Sequence, residues 1–171
     1  MSAPPTLVLA WGNPGRRDDG LGPALAEAIA ARALPEVRVS ADYHLQVEDA
    51  AELAGCGRVL FVDADRGGRG PYRLRRLAAE AGAGAGLGFS SHGISPARLL
   101  GFARDLYGAS PEAWLMGIRG YDFDGFGEGL SSGARANLAA AIAAAAGFVS
   151  GEGDAAATAA TSAAGEVRGR P

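Results

Sequence analysis

Apolar residues along this chain fall in short blocks separated by clusters of glycine, proline and acids. The first block, Leu7 to Trp11, is continuous, not alternating, as in a strand covered on both faces. It breaks at Gly12-Asn13-Pro14-Gly15, a dense run of turn residues. Gly20 to Ala33, rich in Ala and Leu, predicts a helix. Val37 to Asp42 predicts a second strand, and Gln46 to Ala54 a helix ending at Gly55. Arg58 to Asp63 is the cleanest buried strand, with acids (Asp63, Asp65) at its C-terminal end. Gly67 to Pro71 is a turn, Pro71 to Leu77 alternates as an edge strand does, and Ala78 to Gly88 is small-residue loop sequence. Ser95 is placed to cap, and Pro96 to start, a helix reaching about Tyr107. Ala113 to Gly120 predicts a strand and Tyr121 to Gly129 an acidic, aromatic loop. Ser131 or Ser132 caps a last helix running to about Phe148.

The alternation of strand and helix predicts an α/β fold: a three-layer α/β/α sandwich with a mostly parallel, twisted sheet of about five strands. One domain over residues 1–149 accounts for all the periodic sequence. Residues 150–171, made of Ser, Gly, Ala, Thr and Asp without periodicity, predict a disordered C-terminal tail. Right-handed crossovers would bring the ends of the first and third strands to one edge of the sheet. That edge is where open α/β sheets bind ligands, so Asp19 and Asp63 are expected to meet there.

Composition narrows the field. All 16 basic residues are Arg, against 19 acids, giving a net charge of −3. That balance argues against a nucleic-acid surface. No basic n-region precedes the first apolar block, and no run reaches the ~18 uninterrupted apolar residues of a membrane span. A cytoplasmic protein with no membrane partner is expected, and a monomer. Cys56 is the one cysteine, so neither an internal disulfide nor a cysteine metal cluster is available.

The candidate chemistry lies in the loops. A single Asp before a helix is a good N-cap; Asp18 and Asp19 together leave one carboxylate over. The glycines do not match a dinucleotide fingerprint or a phosphate loop. There is no G-x-S-x-G elbow and no H-E-x-x-H. Cys56 has no basic partner nearby in sequence, which argues against a thiol nucleophile. His92, in a Ser-Ser-His-Gly loop before a helix, reads by itself as a surface or structural histidine. Joined by Asp19 and Asp63 it would form a site with open positions, suited to zinc, nickel or a similar divalent ion.

Gly12-Asn-Pro-Gly-Arg-Arg-Asp-Asp-Gly-Leu-Gly22, Phe61-Val-Asp-Ala64, Ser91-His92 with Leu99-Leu100 behind it, and Gly129-Leu-Ser131 together resemble the hydrogenase maturation proteases. The resemblance spans about residues 6–148. Asp42 to Glu48 and Arg135 to Leu138 are most similar to the branch serving cytoplasmic NAD-reducing, bidirectional nickel–iron hydrogenases. The resemblance implies an endopeptidase that removes a C-terminal extension from the nickel-loaded large-subunit precursor. It implies that Asp19, Asp63 and His92 are the metal-binding and catalytic residues, with nickel arriving as part of the substrate. Asp42 matches a further acidic position near the cleft.

The remaining features are read more plainly. Asp18 is expected to cap or order its loop, Asp65 to face solvent, His44 to line the cleft wall and Trp11 to pack. Arg66, Arg69, Arg73, Arg75 and Arg76 form a basic cluster, read as a solvated edge, with docking of the hydrogenase precursor as the alternative. Tyr121, Phe123 and Phe126 either line the cleft or pack under their loop. Two other functions fit the same residues: an amidohydrolase or different peptidase with its own zinc, and a non-catalytic nickel-binding accessory protein.

Overall fold

The computed structural model describes residues 4–80 and 93–151. The strands are β1 (Thr6–Trp11), β2 (Val37–Asp42), β3 (Arg58–Asp65), β4 (Tyr72–Leu77) and β5 (Glu112–Arg119). They form one sheet in the order β2-β1-β3-β5-β4. The β2–β1, β1–β3 and β3–β5 pairings are parallel, and β4 runs antiparallel along the β5 edge. The helices are α1 (Leu21–Ala30), the single turn α2 (Ala50–Leu53), α3 (Pro96–Tyr107) and α4 (Ser132–Val149).

The continuous apolar blocks follow from burial on both faces. Val8 and Ala10 of β1, Leu60 and Val62 of β3, and Trp114, Met116 and Ile118 of β5 pack under α1 and α4. Their neighbours Leu7, Leu9, Val59, Phe61 and Ala113 point the other way, under α2 and α3. Each fully buried Leu, Val or Phe contributes roughly 1.5–3 kcal/mol relative to exposure, so this alternation decides which layer each residue joins. α4 is long and apolar enough, by length and composition, to cross a membrane. Here it lays Ala134, Ala141, Ala145 and Phe148 into the core instead.

Several boundaries differ from the sequence reading. α1 begins one residue later than expected, because a 3-10 turn occupies Arg17–Gly20. It ends at Ala30, before Ala33 and Glu36 take left-handed φ values of 46° and 58° around Pro35. β3 runs two residues past Asp63, because β5 continues beside it and pairs Ala64 with Ile118 and Asp65 with Arg119. Asp63 therefore lies inside the strand. Most of the stretch read as a tail, 152–171, lies outside the described residues, as does 81–92.

α1 sits close over the ends of β1 and β3 because Gly22 has no side chain. A Cβ there would lie 2.5 Å from the Trp11 carbonyl oxygen and 3.0 Å from that of Val62. Gly22→Ala should therefore cost about 1–3 kcal/mol through overpacking. Urea unfolding measures this, and a loss below ~0.5 kcal/mol, the range of ordinary surface changes, would contradict the packing.

Candidate active site

β1 leads through α1 to β2 on one side, while β3 lies on the other side of β1. The order in which strands are added thus reverses at β1, which opens a crevice between the C-terminal ends of the parallel strands β1 and β3. The turn after β1 supplies one wall. Gly12 adopts φ +140°, a conformation L residues avoid, and any Cβ there would run into the Asp19 carbonyl. The Asn13 side chain accepts from Gly15 N at 2.9 Å, and Asn13 N donates to Asp19 Oδ2 at 2.9 Å. The turn holds the Asp19 carboxylate by one oxygen; the other has no donor among the described residues.

Asp63 comes from β3. Its Oδ1 accepts from Ala64 N at 2.8 Å, and the Trp11 side chain also hydrogen-bonds to it. Burial is the main force on this group and pushes its pKa up to about 7 from the usual 3.8. The negative charges of Asp19 and Asp65 add to the rise, while the Ala64 amide and Trp11 oppose it. Asp19 and Asp63 thus lie close enough to repel one another, as the crossover topology predicts. Trp11 packs edge-on against Phe61, with ring centroids 6.3 Å apart, so it both packs and orients Asp63. Only the packing role is expected from the sequence, although a shielded indole N–H generally finds an acceptor.

Asp18 is fully buried, with 0% of its surface exposed. It accepts from Tyr121 N (2.8 Å), Asp122 N (2.9 Å), Ser131 N (2.7 Å) and Ser131 Oγ (2.7 Å). Burial alone would raise its pKa, but these donors outweigh it and hold the carboxyl below its ordinary value. It is the loop-ordering acid, and every hydrogen bond it accepts is committed to that task. A short bridge reinforces it: Arg17 N donates to Gly127 O at 3.1 Å and Gly127 N to Gly15 O at 2.8 Å. The loops 12–20 and 120–131 are thereby one unit, and the same Ser131 hydroxyl caps α4 by accepting from Ala134 N.

The other expected residues divide. Asp42 ends β2 beside Trp11, with its carboxylate bonded to Tyr43 N at 2.6 Å and exposed to solvent. It shares the edge but not the hydrogen bonds of the acid pair. His92 lies outside the described residues; Gly93 lies against Leu45 and His44, just beyond the end of β2. Asp65 does not simply face solvent. It accepts from Gly67 N and Gly68 N at 3.0 Å and pairs with Arg73, because the turn after β3 folds back over it. Burial raises its pKa, but those amides and Arg73 prevail and lower it. All five arginines of the basic cluster are exposed, as a solvated edge requires; within it Arg73 pairs with Asp65, Arg76 approaches Glu112 at 3.7 Å, and Arg66 lies over the Phe123 ring. Cys56 has a basic neighbour in space that is distant in sequence, since Arg38 donates to its Sγ at 2.6 Å. Of the aromatic loop, Phe123 is buried, whereas Tyr121 and Phe126 are exposed.

Two carboxylates that converge, one pushed toward neutrality by burial and by the other's charge, form a donor set that a divalent cation would relieve. Among the described residues no group of three potential ligands is assembled. The elevated Asp63 also has a stability consequence. Between about pH 4 and about pH 7 the folded chain keeps a proton that the unfolded chain has released. Stability therefore falls as pH rises through that window and is level above it. Asp63→Asn should remove this slope and be the more stable protein at pH 8. Thermal melts from pH 4 to pH 8 test it; equal slopes in both proteins would refute the elevated pKa.

No family model matches this chain, and no curated protein matches it. Solved structures do. It superposes on a NiFe hydrogenase maturation protease, HycI from Thermococcus kodakarensis KOD1, with TM-score 0.66 and 18% identity, covering 88% of this chain and 95% of that one. An endopeptidase from Escherichia coli gives TM-score 0.63 at 21% identity, covering 86% and 94%. The hydrogenase maturating endopeptidase HybD from E. coli gives TM-score 0.59 at 20% identity, again covering 86% and 94%. This chain therefore has the fold of the hydrogenase maturation proteases.

Proposed function

We propose that this chain is an endopeptidase that removes a C-terminal extension from the nickel-loaded large-subunit precursor of a nickel–iron hydrogenase. The observation that carries the reading is that Asp19 and Asp63, at the β1/β3 switch point of this fold, lie near enough for the charge of one to raise the pKa of the other. Nickel is part of the substrate in this reading. Asp19, Asp63 and His92 supply two carboxylates and an imidazole to its open positions, a mixed oxygen and nitrogen set suited to a divalent transition ion. Bound in this way, the metal fixes where the scissile peptide lies and polarises its carbonyl.

The environment of Asp63 fits this role. Its proton is lost near neutrality, so an arriving cation competes with that proton and its binding releases it. Trp11 and the Ala64 amide keep the carboxylate oriented meanwhile. Asp42, one strand over, lines the approach to the pair. The cytoplasmic NAD-reducing hydrogenases supply the first precursors to test, with a monomeric enzyme acting in the cytoplasm.

Mass spectrometry of the precursor's C-terminal peptide, after incubation with this protein in the presence and absence of nickel, tests the proposal. The nickel-loaded precursor should be shortened and the nickel-free one left intact. Asp63→Asn and Asp19→Asn should each slow cleavage at least about 100-fold, the scale on which positioning and charge-stabilising groups act, with the circular dichroism unchanged. Normal processing by Asp63→Asn would defeat the assignment.

A further inference from the structure

Two arginines at the rim of this crevice take no part in the ion pairs of the described residues. Arg16 projects from the turn after β1 and lies over the Phe126 ring, 5.5 Å from its centroid. Arg66 follows the end of β3 and lies over Phe123 at 4.2 Å. Both arginines are exposed, and neither forms an ion pair among the described residues. They come from the loops that follow β1 and β3, so they belong to the same C-terminal edge as Asp19 and Asp63. Both rings belong to the 120–131 loop that Asp18 and the Gly127 bridge lock to the first turn.

The way they are held is informative. A free arginine gives up substantial rotamer entropy when it grips a ligand. A guanidinium already resting on an aromatic face has lost part of that freedom in advance, while its N–H groups still point outward. Phe126 is 82% exposed, so its position gains almost nothing from burial. An exposed aromatic ring on a loop fastened at both ends, carrying a guanidinium without a carboxylate partner, is arranged for contact with another molecule.

We infer that Arg16 and Arg66, braced on Phe126 and Phe123, form a clamp for side-chain carboxylates on the segment that the proposed protease removes. The clamp rests on that reading of the site. Planar guanidiniums bind carboxylates through paired N–H donors. Opposite charge also steers a flexible tail toward the acid pair, with guanidiniums outermost so that Asp19 and Asp63 do not repel it.

Steady-state cleavage of nickel-loaded precursor tests the clamp. Arg16→Ala and Arg66→Ala should each raise KM about fivefold to tenfold while keeping kcat and Tm, and the difference from wild type should shrink at high salt. Phe126→Ala should raise KM with Arg16 intact. A precursor whose extension has Asn and Gln in place of Asp and Glu should bind more weakly to wild type, and the arginine variants should make no further difference. If wild type cuts the precursor but the arginine variants keep its KM, or if wild type handles the acid-free extension as well as the native one, the clamp is wrong and the protease assignment stands. If wild type cuts no precursor, the assignment itself falls and takes the clamp with it.

Discussion

The buried carboxylate of Asp18 fixes the geometry on which the site depends. It brings together two loops that the chain separates by more than a hundred residues. It does so with charge-assisted hydrogen bonds, each worth roughly twice a neutral one. A carboxylate this buried is tolerated because donors surround it; without them its desolvation would cost several kcal/mol. In return the 3-10 turn at Arg17–Gly20 is held still, and the next residue, Asp19, is presented to the crevice. Two adjacent acids thus do opposite work: Asp18 is saturated by protein donors, while Asp19 keeps one oxygen available.

The same division recurs on β3. Asp65 is tied to Gly67, Gly68 and Arg73 and remains ionised. Asp63, two residues earlier on the same side of the strand, is shielded, feels the charge of Asp19, and is driven toward its neutral form. Neighbouring carboxylates with opposed environments are how a fold sets charge aside for chemistry while using the rest to build loops. The crevice between β1 and β3 collects the two acids that the loops do not saturate, and the glycines at positions 12 and 22 let the backbone close around them.

Much of this is legible in the chain. The continuous apolar blocks mark the strands, since parallel strands covered on both faces have no polar side to show. The surplus acid at Asp18-Asp19 points to one structural and one free carboxylate, and the hydrogen bonds make Asp18 the structural one. What stays hidden depends on partners distant in sequence. The extension of β3 past Asp63 comes from β5 running alongside it, and nothing in Asp63-Ala64-Asp65 announces that. Asp65 looks solvated in the sequence because local sequence shows charges but not their pairing, whereas the arginines of β4 are exposed as read. The indole bond from Trp11 to Asp63 arises only where β1 and β3 lie side by side. His92 lies outside the described residues, so its place in the set rests on the resemblance alone.

The central claim is that this chain's carboxylates reach the nickel carried by its substrate. Nickel X-ray absorption spectroscopy tests it most directly, on precursor alone and in complex with this protein, using a precursor altered at the scissile bond so that it binds without being cut. The account predicts new oxygen or nitrogen scatterers around the nickel on complex formation, reduced when Asp19 and Asp63 are both replaced by Asn. A nickel coordination sphere identical in free precursor and in the wild-type complex would contradict it.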